Sequence, residues 1–225
     1  MNARESGRRI LMAPLGAALM LSLGACMMRP TQNVWALDFQ RTDNHVELDP
    51  TRLLTEQRVP GARLVSVPTA LKLAPPGSLI LACWRGTELS NFYGPCSHVA
   101  RKIDDTQLAE TFLAGAAGTY PLSRLYDRYA VIVLDVGARE EHLSVMRKEV
   151  ERLKGLPYDL THRPGTYYCS NYQNQLQKVA GLPEVIALNK DWQMYVPSDV
   201  LLTPGVKVLW VGVNERLFTV GAGFR

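Results

Sequence analysis

Histidine and cysteine are scarce in this chain, four of each among 225 residues. No ligand cluster with zinc spacing is present, so no metal or other cofactor is expected. Basic runs with interleaved aromatics are missing from the body of the chain, which argues against a nucleic-acid partner. The longest apolar run, starting at Ile10, is too short for a comfortable membrane span and is followed by no stop-transfer pattern. Internal repeats, low-complexity tracts and heptads are also absent. What remains is an ordinary globular composition, 47% hydrophobic and 20% charged, with length for one good-sized domain.

The N-terminus carries a targeting pattern. MNARESGRR is a basic stretch, ILMAPLGAALMLSLG is apolar, and Leu23-Gly24-Ala25-Cys26 closes it. Small residues running straight into a cysteine resemble the bacterial lipoprotein lipobox. The resemblance implies a signal peptide over 1–25, cleavage before Cys26 and lipidation of its thiol, and so a protein tethered to a membrane outside the cytoplasm. Met27 rather than Asp after the cysteine suggests, in a Gram-negative cell, the outer membrane facing the periplasm. The formal net charge is +4. Arg4, Arg8 and Arg9 against Glu5 account for two of those charges, so the chain beyond the leader is near +2.

In an oxidising compartment the remaining cysteines, Cys83, Cys96 and Cys169, are an odd number. One disulfide and one free thiol is the simplest arrangement. Cys83 and Cys96 stand at the end of one strand-like run and the start of another; they either pair or remain two separate buried thiols.

Residues 26–60 read as tether and N-terminal embellishment, with a helical hint at Pro50–Gln57, and residues 61–225 as the domain proper. SLILACW has the continuous apolar character of a buried strand. RGTELSNFYGPCS reads as a loop, HVARKI as a second strand, and QLAETFL as a third after a turn at Asp104-Asp105. A glycine-rich segment then leads to the β-branched strand YAVIVLDV. Over 139–154, Leu143, Met146, Val150 and Leu153 recur on one helical face, with Glu140 and Glu141 in the first turn and Gly155 as the stop. A second helix is expected from Cys169 to Ala180, ended by Gly181. VKVLWVGV and RLFTVGAG can add strands. The expected fold class is α+β, an antiparallel sheet with helices packed on it.

Cys169 opens its helix on the same face as Tyr172, Leu176 and Val179. Its thiol therefore points into the protein, beside unpaired N–H groups and the positive end of the helix dipole, which favour thiolate. An inert buried cysteine is the plain alternative. A nucleophile needs a base and a group to orient it. Of the histidines, His45 lies in the tether, His142 on a charged helix surface, and His162 in a loop with nothing to hold it. His98 opens the strand HVARKI, where sheet geometry would fix its ring. On the next strand Glu110 points the same way as Leu108 and Phe112, and a buried carboxylate there needs a partner. If the hairpin loop spans Ile103–Asp105, residue pairs sum to 208 and His98 stands opposite Glu110. A two-residue turn at Asp104-Asp105 would put them on opposite faces.

PPGSLILA, SHVARKIDDTQLAETF, GLPYD and YYCSNYQNQL resemble, in order and spacing, the circularly permuted branch of the NlpC-type cell-wall hydrolase superfamily. The YiiX-like proteins of that branch are the nearest in pattern. The likeness covers roughly residues 72–204. It implies a papain-like fold with Cys169 as nucleophile, His98 as base and Glu110 as the third polar member. Leu156-Pro157-Tyr158-Asp159 matches the segment before the cysteine loop, and Tyr168-Cys169-Ser170 the cysteine motif. Ser78 departs from the usual aspartate after Pro-Gly, Asn171 from the usual glutamate after Cys-Ser, and HVARKI is more basic than the pattern.

The expected chemistry is acyl transfer to water through a thioester, on peptidoglycan peptides or, in the runner-up, on acyl lipids. The backbone N–H of Cys169 is a ready oxyanion donor, with Tyr168 and Tyr158 as candidates for a second. A monomer is expected. The rival reading is a non-catalytic lipoprotein that binds peptide or lipid in the same cleft; a reactive, low-pKa thiol separates the two.

Overall fold

The computed structural model describes residues 37–39, 48–56, 58–59, 63–84, 94–161 and 163–214. Along the chain these form strand β1 (Asp38–Phe39), helix α1 (Arg52–Thr55), β2 (Arg58–Val59), β3 (Leu64–Ser66), α2 (Val67–Leu73), β4 (Leu79–Cys83), β5 (Cys96–Lys102) and β6 (Gln107–Glu110). Next come β7 (Gly118–Pro121), a 3-10 turn Leu122–Leu125, β8 (Ala130–Asp135), α3 (Glu140–Leu153) and α4 (Cys169–Val179). The short β9 (Leu188–Asn189) and β10 (Met194–Tyr195), a 3-10 turn Pro197–Leu202 and β11 (Lys207–Val213) complete the order.

The protein is a mixed α+β fold whose main sheet has seven strands in the order β3-β11-β8-β4-β5-β6-β7. Every pairing in it is antiparallel except β3 with β11. The continuous apolar strands sit at its centre because both faces are covered. Leu79, Leu81, Ile132 and Leu134 join one core cluster, while Ile80, Ala82, Val131 and Val133 join another with Val67, Ala70 and Leu71 of α2. Period-2 alternation sends neighbours to opposite faces, so a strand buried on both must be apolar throughout.

Helices α3 and α4 pack on one another through a third cluster containing Leu143, Met146, Val150, Leu153, Tyr172 and Leu176. Both stop where the sequence predicts, at Gly155 and Gly181, whose φ of 84° and 73° favour glycine. Among the described residues no helix is long and apolar enough to cross a membrane.

Several expectations are corrected. The β5–β6 hairpin pairs Arg101 with Ala109 and Lys102 with Leu108, so pairs sum to 210, not 208. Asp104 Oδ1 accepts from the N–H groups of Thr106 and Gln107, and Ile103 N–H bonds to Gln107 carbonyl. This aspartate-centred turn makes the loop Asp104–Thr106, one residue later than expected. The shift preserves parity, so His98 and Glu110 still share a face, as diagonal and not direct partners. Strand β6 ends at Glu110 and leaves Phe112 beyond it. The glycine-rich stretch contains β7, paired along β6 from Gln107–Pro121 to Glu110–Gly118.

Two further differences concern the ends of elements. Leu37, Leu48, Leu53 and Leu54 belong to the same core cluster as Cys169, so these residues of the expected embellishment help build the domain core. Val179 is only partly buried, while Ser170, Gln173, Asn174 and Gln177 of the same helix are buried. The expected signal peptide over 1–25, Cys26, His45, His162 and the strand RLFTVGAG lie outside the described residues.

Candidate active site

Helix α4 begins at Cys169 because residue Asn171 closes its first turn. Asn171 Oδ1 accepts from Tyr168 N–H at 2.7 Å, and its Nδ2 donates to the Thr166 carbonyl at 3.2 Å. A glutamate at this third helical position could accept the same Tyr168 N–H but could not donate to the Thr166 carbonyl, so Asn171 holds both the helix start and the loop before it. Tyr168 is 1% exposed and Cys169 3%. The thiol meets the His98 ring, the Val99 N–H and the Ser170 hydroxyl, the last at 3.8 Å.

His98 stands on β5 just past the end of the β5–β6 ladder, 6% exposed. Its Nε2 donates to Glu110 Oε2 at 2.5 Å, which leaves Nδ1 as the ring nitrogen free to exchange a proton with the thiol. Glu110 is fully buried. Its second oxygen, Oε1, accepts from Arg124 Nε at 2.6 Å, a partner on the 3-10 turn after β7 that sequence reasoning did not find.

The charges follow from these contacts. Burial alone would pull the His98 pKa down, but the hydrogen bonds and charges of Cys169 and Glu110 outweigh it and raise it to about 9. Burial would likewise raise the Cys169 thiol, yet the bond to His98, its positive charge and the Ser170 and Val99 donors bring it below the ordinary range. Burial opposes ionisation of Glu110 too, and His98 with Arg124 overcomes it and lowers its pKa. These contacts favour the charged forms, thiolate, imidazolium and carboxylate, in a row.

A second set of buried polar groups locks the helix to the strands. Gln173, one turn after Cys169 and fully buried, accepts from Arg101 Nε at 3.3 Å and donates to the Ala109 carbonyl at 3.0 Å. It thereby ties α4 to β5 and β6, the strands of His98 and Glu110. The basic character of HVARKI has a structural use. Arg101 Nη1 donates to the Gly77 carbonyl, and Lys102 Nζ donates to the Leu71 and Lys72 carbonyls at the end of α2. Position 173, four beyond the cysteine on its inward side, was the available sequence signal for the clamp.

The other expected residues are placed as follows. Cys83 and Cys96 face each other across β4 and β5 and are disulfide-bonded, with Cα atoms 3.9 Å apart. Cys169 is the free cysteine among the described residues. Tyr168 commits its N–H to Asn171, and its hydroxyl oxygen accepts from Tyr195 N–H at 2.7 Å. Tyr158 packs edge-on against the Tyr168 ring, with centroids 6.4 Å apart. Ser78 is buried, its carbonyl accepting from Lys102 N–H. His142 caps α3, its Nδ1 accepting from Arg139 N–H at 3.0 Å. Among the described residues no three His, Cys, Asp or Glu side chains gather where they could hold a metal ion.

Fold and site together define an α+β domain with a mostly antiparallel sheet and a buried Cys-His-Glu arrangement. No protein-family model matches the chain, and no curated protein does.

Proposed function

We propose that this protein is an envelope-anchored cysteine hydrolase of the circularly permuted NlpC-like, papain-fold type, similar to the YiiX-like proteins. The observation that carries the reading is the row Cys169, His98, Glu110, with the thiol at a helix start and His98 Nε2 held by a buried carboxylate. The Cys169 thiolate attacks an amide carbonyl carbon, and the charge moves to the carbonyl oxygen beside the free N–H groups that open α4. His98 gives its proton to the departing amine as the carbon–nitrogen bond breaks, leaving a thioester. Neutral His98 then takes a proton from water, hydroxide adds to the thioester, and the acid leaves as thiolate and imidazolium reform. Glu110 orients the ring and supports its positive form. Peptidoglycan peptides are the proposed substrate, since the lipobox-like leader would hold the protein in the envelope.

The test is the pH dependence of Cys169 alkylation by iodoacetamide in the full chain, read by mass spectrometry on the Cys169 peptide and compared with His98→Ala. Reaction well below the free-thiol pKa of ~8.5, lost in His98→Ala, is expected. Peptide amides and acyl-lipid esters are then screened for hydrolysis. A Cys169 that reacts as an ordinary thiol, with or without His98, sinks the hydrolase and leaves a peptide- or lipid-binding lipoprotein.

A further inference from the structure

The row of three charged groups does not end at Glu110. Thiolate, imidazolium and carboxylate together carry one net negative charge, in a place where Glu110 is fully buried and His98 nearly so. A lone excess charge in such a site is relieved by proton uptake, either at Glu110, which withdraws support from the imidazolium, or at the thiolate itself. Arg124 supplies the missing positive charge at 2.6 Å from Glu110 Oε1. Its guanidinium is held in place, with its carbon 3.3 Å over the Phe112 ring and 5.6 Å from that of Tyr120. Phe112 in turn packs edge-on against Tyr120, with centroids 5.0 Å apart. Gly115 makes room for this stack, since a Cβ there would lie 2.2 Å from Phe112 Cζ. The glycine-rich segment after β6 thus folds the Phe112 ring against the guanidinium.

We propose that Arg124 is a positioning residue of this site, the fourth charge that makes the Cys169–His98–Glu110 row neutral and so keeps its thiol ionised. The inference rests on the hydrolase reading and names a residue that the reading does not need. Arg124 touches neither the thiol nor the imidazole; it acts through Glu110. The other ionisable groups near the row are Tyr172 of α4, within reach of Glu110, Tyr120 of β7, beside Tyr172 and the Arg124 guanidinium, and Tyr168 beside Cys169. Burial pushes Tyr172 and Tyr168 above the ordinary phenol range, so both stay neutral where the thiol titrates. Arg124 is therefore the counter-charge on the far side of Glu110.

The experiment extends the alkylation profile of the full chain to Arg124→Met, Arg124→Gln and Arg124→Lys. An opposite charge in direct contact moves its partner's pKa by roughly one unit or more; here that partner is Glu110, and the thiol feels the change through the imidazolium. Arg124→Met is expected to shift the low-pH limb of Cys169 reactivity measurably upward, by at most about one pH unit, a loss of rate on that limb of up to about tenfold. Arg124→Gln, which keeps a donor for Glu110 but no charge, shifts it as far, and it reads the same question should Arg124→Met fail to fold. Arg124→Lys restores most of the wild-type limb. A Gln variant whose limb superimposes on the wild type overturns the inference alone, and so does a Lys variant no better than Gln. An ordinary thiol in the wild type overturns both the inference and the hydrolase reading. Failure of every amide and ester to react counts against the reading only, because alkylation needs no substrate.

Discussion

Helices α3 and α4 lie side by side, yet they are built on different plans. α3 buries Leu143, Met146, Val150 and Leu153, and its one buried charge, Glu149, is held by Arg152 and by Gln175 of α4. α4 buries Ser170, Gln173, Asn174 and Gln177 together with Cys169, Tyr172 and Leu176. Asn174 alone accepts from Val185 and Ile186 N–H and donates to the Ile186 carbonyl, fixing the chain beyond the helix. An apolar stripe holds a helix against a surface with latitude for sliding. Buried amides with named partners fix its axial position as well, because each missed hydrogen bond costs about 1–3 kcal/mol. A helix that must deliver a thiol to a histidine needs the second kind of attachment.

The sharpest way to break this contrast is a pair of size-conserving substitutions. Gln173→Leu keeps the volume, so if apolar burial were all that mattered it would be mild. It strips the Arg101 guanidinium of a buried acceptor, where Nη2 already has no partner, and it leaves the Ala109 carbonyl without its side-chain donor. We expect a loss of about 3 kcal/mol in urea unfolding, from two unsatisfied groups of which one is charged. Met146→Leu in α3 should cost less than about 1.5 kcal/mol. Equal costs would remove the distinction between the two helices.

The same contrast explains what could be read from the sequence. α3 and the two-faced strands β4 and β8 were legible because hydrophobic periodicity reports one-dimensional burial. Cys169, His98 and Glu110 were legible through motif order and strand parity. The exact register was not, because Asp104 can cap the turn one residue later than Asp104-Asp105 suggests. β7 was hidden by Gly118 and Pro121, which read as turn residues, and α2 by Pro68, which is harmless in a first helical turn. Gln173 and Arg124 act through partners 64 and 14 residues away; the inward position of Gln173 on its helix is a local sign of burial but does not name its partners, and no local pattern announces Arg124.

A smaller effect separates the helices through pH. His98, raised to about 9, contributes stability that is complete below its unfolded value of 6.5 and is lost as pH rises through 9. Cys169, lowered from 9.0, contributes stability that is complete above 9.0 and is lost as pH falls through its depressed value. Between the depressed Cys169 value, or 6.5 where that is higher, and 9 the two trends cancel. The folded pair is imidazolium and thiolate, the unfolded pair is neutral imidazole and thiol, and both hold one proton. The pair's contribution is therefore flat over that window. Urea unfolding from pH 5.5 to 9, wild type against Cys169→Ala, measures this. A difference that slopes across the whole window would mean the folded pair is not ionised.

The finest distinction lies at the two helix starts, which use one device for different ends. His142 Nδ1 accepts from Arg139 N–H and Asn171 Oδ1 accepts from Tyr168 N–H, each three residues into its motif. Removing either acceptor should cost about 1 kcal/mol, the usual worth of a cap. His142→Ala and Asn171→Ala are thus expected to be equal in thermal unfolding. They should part in chemistry. At α3 the cap only orders a helix end, so His142→Ala leaves Cys169 alkylation unchanged. At α4 the cap also holds the turn that aims the thiol at His98, so Asn171→Ala slows alkylation at neutral pH, and Asn171→Glu restores it. If Asn171→Ala unfolds more easily but reacts as fast, the first turn of α4 is held by Gln173 and Asn174 alone, and the polar dock of that helix is more self-sufficient than its cap implies.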